Sequence, residues 1–140
     1  MAANHSLIMI EATGELVGDP MEVKIFEFGE FRLNQSNADP NVIFGFESQR
    51  GQSGQVFRRF EFDSDVQRMS VVCKSNSTGK CNVLAKGSPE MMLTIMRPDS
   101  IPRNYNEVLK EYASTGFRVL AIASKPISES KMMTMNRAEA

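Results

Sequence analysis

Lys86-Gly87-Ser88-Pro89-Glu90 closes an apolar, strand-like run and opens a helix within five residues. Serine, proline and glutamate in that order make a helix start. The Ser88 side chain can accept an orphan backbone N–H, Pro89 suits the first helical position, and Glu90 complements the positive end of the helix dipole. Lys86 and Gly87 add an amine and bare backbone beside that turn, chemistry suited to a phosphate or a ribose. The same five residues also read as plain architecture, and Glu90 argues against an anion lying on the helix axis itself.

Upstream of this stretch the pattern is β. Residues 56–62 read as a strand in which Phe60 and Phe62 alternate with Glu61 and Asp63, giving one apolar face. Residues 69–74 and 81–86 read as two more strands, joined by the hairpin connection Ser75-Asn76-Ser77-Thr78-Gly79-Lys80. A further strand is expected at residues 42–47, between a turn-rich loop at residues 34–41 and a polar loop at residues 49–54. Nearer the start, residues 5–10 read as a strand followed by a turn at Thr13-Gly14. Asp19 and Pro20 then cap and open a helix whose inner face is expected to carry Met21, Ile25 and Phe28, with Gly29 ending it.

Downstream, the helix opened by Ser88 and Pro89 must stop before Pro98. A second helix begins near Pro102, with Tyr105, Val108, Leu109, Tyr112 and Ala113 on one stripe and Gly116 just past its end. Residues 117–125 form a near-continuous apolar run, which suggests a central strand. From Pro126 the chain turns polar, and residues 127–140, with Met132, Met133 and Met135, read as an exposed, flexible connection with no closing core element. Antiparallel strands with hairpin connections and three helices indicate an α+β fold, an antiparallel sheet flanked by helices, in one domain over residues 1–140.

Bulk properties narrow the function classes. A 41% apolar and 24% charged composition is that of an ordinary globular domain, and a net charge of −1 supplies no global attraction to nucleic acid or anionic membrane. No apolar run approaches the roughly 20 residues of a membrane span, and the secretory pattern is absent from the N-terminus. The two cysteines, Cys73 and Cys81, follow no C-x-x-C or other zinc spacing. They read either as partners across a hairpin or as two buried free thiols, the second fitting a reducing compartment. Neither G-x-x-x-x-G-K-[ST] nor G-x-G-x-x-G occurs, and a single histidine near the N-terminus gives no hydrolytic triad. Gly51-Gln52-Ser53-Gly54 fits the G-x-x-G loop of RNA-clamping modules, a short pattern with no electrostatic support here.

Four residues admit two readings each. Phe62 is a core strand residue or a platform for a purine, worth about 1–3 kcal/mol per base. Glu22 is a helix-start charge or an acceptor for an exocyclic amine. Arg118, heading a mostly apolar run, needs a carboxylate or phosphate partner. Lys86 is a strand-end amine or a ligand contact.

Taken in order, Gly18-Asp19-Pro20-Met21-Glu22, Phe60-Glu61-Phe62 with Gln67-Arg68-Met69-Ser70, Lys86-Gly87-Ser88-Pro89-Glu90 and Gly116-Phe117-Arg118-Val119-Leu120-Ala121 resemble the nucleotide-binding (N) domain of P-type ATPases. The resemblance covers nearly the whole chain, from His5 to about Pro126. His5-Ser6-Leu7, Gly18-Asp19-Pro20-Met21-Glu22 and Phe62-Asp63-Ser64 followed by Gln67-Arg68-Met69-Ser70-Val71 resemble the type V pumps, and among them the B group, whose implied activity is polyamine export from late endosomes, lysosomes or vacuoles. The A group, which extracts transmembrane helices in the endoplasmic reticulum, is the near alternative; a non-catalytic interaction or RNA-binding module is the alternative of another class.

The resemblance implies an ATP-binding domain in which Phe62 stacks on adenine and Glu22 bonds its amino group. Lys86 is implied at the base of the pocket with Gly87 lining it, and Arg118 at the phosphates. Many relatives carry a lysine five residues beyond the stacking phenylalanine, where this chain has Gln67, with Arg68 beside it as the implied substitute. Ser88 stands where relatives often have alanine. The family's phosphorylation segment, its dephosphorylation segment, the Mg²⁺-site aspartates of the P domain and its membrane helices do not occur in this sequence. The implied picture is a monomeric N domain on the cytosolic face of a pump, inserted in a P domain that supplies the phosphorylated aspartate and most of the Mg²⁺ coordination. Nucleic acid is not an implied partner.

Overall fold

The computed structural model describes residues 2–35 and 39–140. Of the loop expected at residues 34–41, positions 36–38 lie outside the described residues. In chain order the elements are β1 (Ile8–Ile10), β2 (Glu15–Val17), α1 (Pro20–Phe28), β3 (Phe31–Asn34), β4 (Phe44–Ser48), β5 (Ser53–Asp63), β6 (Arg68–Ser75), β7 (Cys81–Gly87), α2 (Pro89–Leu93), a 3₁₀ turn at Pro98–Ser100, α3 (Tyr105–Ser114), β8 (Ala121–Ile127) and α4 (Glu129–Met132). Strands β3 to β8 pair in sequence order as one six-stranded antiparallel sheet, while β1 and β2 form a separate hairpin. This is the expected α+β fold.

The sheet buries both faces. Alternation along β6 sends Met69, Val71 and Cys73 to one side, where they pack with Leu7, Phe26, Leu33, Phe44 and Val56. Val72 points to the other side and packs with Cys81, Val83, Met132 and Met135. Two-sided burial explains why Val71, Val72 and Cys73 are apolar in succession rather than alternating with polar residues.

Helix ends follow local chemistry. The Asp19 carboxylate accepts the N–H groups of Met21 and Glu22 at 2.9 and 3.3 Å. At the end of α3, Gly116 has φ +85°, Phe117 N–H donates to the Tyr112 carbonyl at 3.0 Å, and Gly116 N–H donates to Ala113 at 3.0 Å. The Tyr112 and Phe117 rings meet edge-on at 6.1 Å, completing a Schellman stop.

Several sequence expectations are corrected. Phe26, not Phe28, is the buried aromatic of α1; Phe28 is 91% exposed in the last turn. The apolar run at residues 117–125 is not a central strand: β8 starts at Ala121 and lies at the sheet edge beside β7 alone. Its apolar residues Val119 and Leu120 line clefts instead of filling a two-sided core. The segment after Pro126 is not an exposed connection either. Met132 and Met135 are buried against Val72 and Val83, Lys74 pairs with Glu129 at 2.5 Å, and Arg58 donates to the Met133 carbonyl. The second face of β5–β7 needs an apolar cover, and further polar ties hold it there: Arg137 donates to the Glu61 carbonyl at 3.0 Å and lies 3.8 Å from Asp63.

Cys73 sits opposite Asn82 and Cys81 opposite Lys74, so the two thiols occupy opposite faces and both remain free and buried. Gly51 has φ +77° in the β4–β5 hairpin turn, and Gly54 lies within β5, so the G-x-x-G stretch serves strand reversal.

Candidate functional site

The site begins with an irregularity in β5. From Phe60 to Asp63 this strand advances three residues while β6 advances two, from Ser70 to Arg68. One residue too many on β5 is a β-bulge, and it breaks the alternation. Phe60 therefore packs with the Val72–Val83 cluster, whereas Phe62 faces the other side and lines a cleft with Met69. The single apolar face expected for Phe60 and Phe62 is split between the two sides. Phe62 is 63% exposed, which excludes the core reading.

The same cleft holds a buried ion pair. Lys86, in β7, is only 6% exposed, and its ammonium is bonded to Oε1 of Glu22 in the first turn of α1. The other carboxylate oxygen of Glu22 accepts the Ser6 N–H at 3.0 Å. Two desolvated charges coexist because each is satisfied by the other and the carboxylate also by the Ser6 backbone donor; removing either partner strands the survivor at a cost on the order of 3–5 kcal/mol.

Gly87 and Ser88 form the rim. A Cβ on Gly87 would lie 2.5 Å from the Gln67 carbonyl and 2.8 Å from Arg68 Cβ, so glycine is required for close strand approach there. The bare backbone anticipated as a ligand surface is thus also a packing necessity. Gln67, with φ +45°, accepts the Ser88 N–H through its carbonyl at 3.1 Å and the Ser88 hydroxyl through its side chain at 3.0 Å. The Ser88 hydroxyl also accepts from Met91 N–H at 3.4 Å, capping α2. Arg118 lies on the coil before β8 and borders the same cleft as Phe62.

Glu22, Phe62, Lys86, Gly87 and Arg118 therefore border one open cleft of about 550 Å³. Arg68 does not join them. As the residue after Gln67 it points to the opposite face and lines a different cleft with Val83, Ala85 and Lys125. It does not take the place of a lysine at position 67, because the side chains of Gln67 and Arg68 line different clefts. Ser6 and Gln67 also border the cleft, and reading the residues in sequence did not pick them out as contacts; the left-handed backbone at Gln67 has no signal in a glutamine.

The cleft offers an exposed aromatic face, a fixed carboxylate acceptor, an ammonium and a guanidinium. That set suits a planar heterocycle bearing an amino group and a distal anion. Among the described residues no group of three or more His, Cys, Asp or Glu side chains is placed to hold a metal ion. No helix among them is long and apolar enough to cross a membrane.

A six-stranded α+β domain with this cleft corresponds to the family described as P-type ATPase, cytoplasmic domain N, whose model matches residues 2–140. The chain belongs to that family. It is 30% identical over 97% of its length to the probable cation-transporting ATPase 13A5 of Mus musculus. It is 38% identical over 79% of its length to cation-transporting ATPase 5 of Schizosaccharomyces pombe, and 29% identical over 94% to polyamine-transporting ATPase 13A3 of Mus musculus. These matches agree with an N domain of the type V pumps. The chain spans only 12%, 11% and 13% of the lengths of these three relatives.

Proposed function

We propose that this domain binds adenine nucleotide in the Phe62 cleft and, within a type V pump, presents the γ-phosphate of ATP to a phosphorylatable aspartate on the P domain. The observation that carries the reading is that an exposed Phe62 ring, a buried Glu22–Lys86 pair and Arg118 border one cleft. Adenine stacks on Phe62, its 6-amino group donates to Glu22, Lys86 fixes that carboxylate and closes the base of the pocket, Gly87 lines it, and Arg118 meets the phosphates. The domain contributes proximity and orientation to phosphoryl transfer, whose nucleophile lies elsewhere.

Membership among relatives named as cation- and polyamine-transporting pumps supports transport of a cation, and of polyamines in particular, by the parent protein. The domain then faces the cytosol from a late endosomal, lysosomal or vacuolar membrane.

One stacking contact and two or three polar contacts in an open cleft amount to about 4–5 kcal/mol net, or about millimolar affinity, with or without Mg²⁺. Titration of the isolated domain with ATP, followed by backbone amide NMR shifts, tests this. The expected shifts centre on the Phe62, Lys86 and Arg118 segments and weaken at least tenfold in Phe62→Ala. Unchanged shifts in that variant, or submicromolar and strictly Mg²⁺-dependent binding, overturn the reading.

A further inference from the structure

The Glu22 carboxylate is held from both ends. Its Oε1 meets the Lys86 ammonium, and its Oε2 accepts the Ser6 N–H at 3.0 Å. Ser6 is itself held: its hydroxyl donates to Glu61 Oε2 at 2.8 Å, while Glu61 Oε1 pairs with Arg59 Nε at 2.5 Å. On the far side of Ser6 the chain is pinned by His5, whose Nδ1 accepts the Leu7 N–H at 3.1 Å. Glu61, one step from Phe60, faces Ser6 by ordinary alternation, and the β5 bulge brings Phe62 to that same face of the sheet instead of the opposite one.

We propose that Glu61 and Ser6 are positioning residues that lock the Glu22 carboxylate as a fixed acceptor and so set the preference of the cleft for purines carrying a 6-amino group. This rests on the nucleotide reading of the cleft given above. Glu61 does not border the cleft and acts through Ser6; the bulge couples the stacking residue and this support in one strand feature. An acceptor fixed before the ligand arrives costs no side-chain ordering on binding, and the gain falls only on ligands that donate to it. Release of Ser6 frees the Oε2 end of Glu22 and weakens that donation alone.

The test compares ATP with purine riboside triphosphate, which lacks the 6-amino group, by NMR titration of the whole domain. In Glu61→Ala and in Ser6→Ala the ratio of ATP to analogue affinity is expected to fall about threefold, the scale of one weakened hydrogen bond, with analogue affinity unchanged. The double variant should lose no more than either single one, since both cut the same link. Glu61→Gln, whose amide oxygen still accepts the Ser6 hydroxyl, should keep the wild-type ratio. An unchanged ratio in Ser6→Ala overturns the inference, as does an equal loss for both nucleotides, which marks a merely structural role. Should Glu61→Ala fail to fold, Ser6→Ala decides alone. Phe62→Ala separates the two readings: weakening of both ligands there upholds the cleft, and no weakening removes the nucleotide reading itself.

Discussion

His5 shows how a residue with an ambiguous sequence role becomes fixed by its surroundings. It is stacked on Phe44 at 4.9 Å and meets Phe26 edge-on at 5.0 Å. With Nδ1 accepting from Leu7, Nε2 carries the proton and donates to the Ala2 carbonyl at 2.9 Å, the neutral tautomer. Burial lowers its pKa to about 4, outweighing the Ala2 carbonyl and the Glu22 charge, which both raise it. The folded-state pKa thus lies below the ordinary 6.5, so the unfolded chain binds the extra proton between these values. Stability from this residue is complete above about pH 6.5 and is lost as pH falls toward 4, by about 2–3 kcal/mol. Urea unfolding at a series of pH values should show this slope in the wild type and its absence in His5→Phe; parallel profiles would disprove it.

At the scale of elements, the tail after Pro126 has the most direct consequence for stability. Helix α4 has only four residues and is too short to hold itself, so its place depends on Met132 and Met135 entering the second core cluster. Truncating either methionine to alanine should cost about 2–4 kcal/mol by chemical denaturation. A loss under 0.5 kcal/mol, the range of a surface change, would mean the tail does not pack. The bulge in β5 belongs to the same scale. It is a local register event, yet it decides which side chains face the cleft.

For the whole molecule, one sheet with a core on each face makes the two halves depend on each other. Cys73 lies in one core and Cys81 in the other, on neighbouring central strands. Burial, and then the nearby Cys81, push the Cys73 thiol up to about 11, far from a reactive thiolate. Both thiols should therefore resist alkylation in the native state and become reactive together, at a rate that follows global unfolding. Mass spectrometry after brief iodoacetamide exposure at increasing urea checks this. Early modification of one cysteine alone would show that the faces open independently.

Much of the architecture was legible because it is written in local chemistry. Asp19-Pro20, Ser88-Pro89 and Gly116 marked helix ends through caps whose partners lie within a few residues. Glu22, Phe62, Lys86, Gly87 and Arg118 were legible as candidates because strand ends, first turns and glycines concentrate ligand chemistry. Position in the sheet was not legible. An apolar run such as residues 117–125 looks alike whether it is buried by two strands or spread along an edge and two clefts, and methionines in a polar tail carry no periodicity to announce burial.

By itself, then, the order of residues determined the α+β class, the β6–β7 hairpin, the starts of α1 and α2, the end of α3 and the set of groups available to the cleft, since each depends on neighbours a few positions away. Only the tertiary structure decided that Phe62 and Phe60 part company, that Arg68 turns from the cleft, that Glu22 is clamped between Lys86 and Ser6, and that the tail closes the second core. Those outcomes depend on strand register and on contacts between residues as many as 80 positions apart, as between Asn4 and Leu84. A one-residue shift in pairing reverses which way a side chain faces, and no local signal in this sequence encodes that shift.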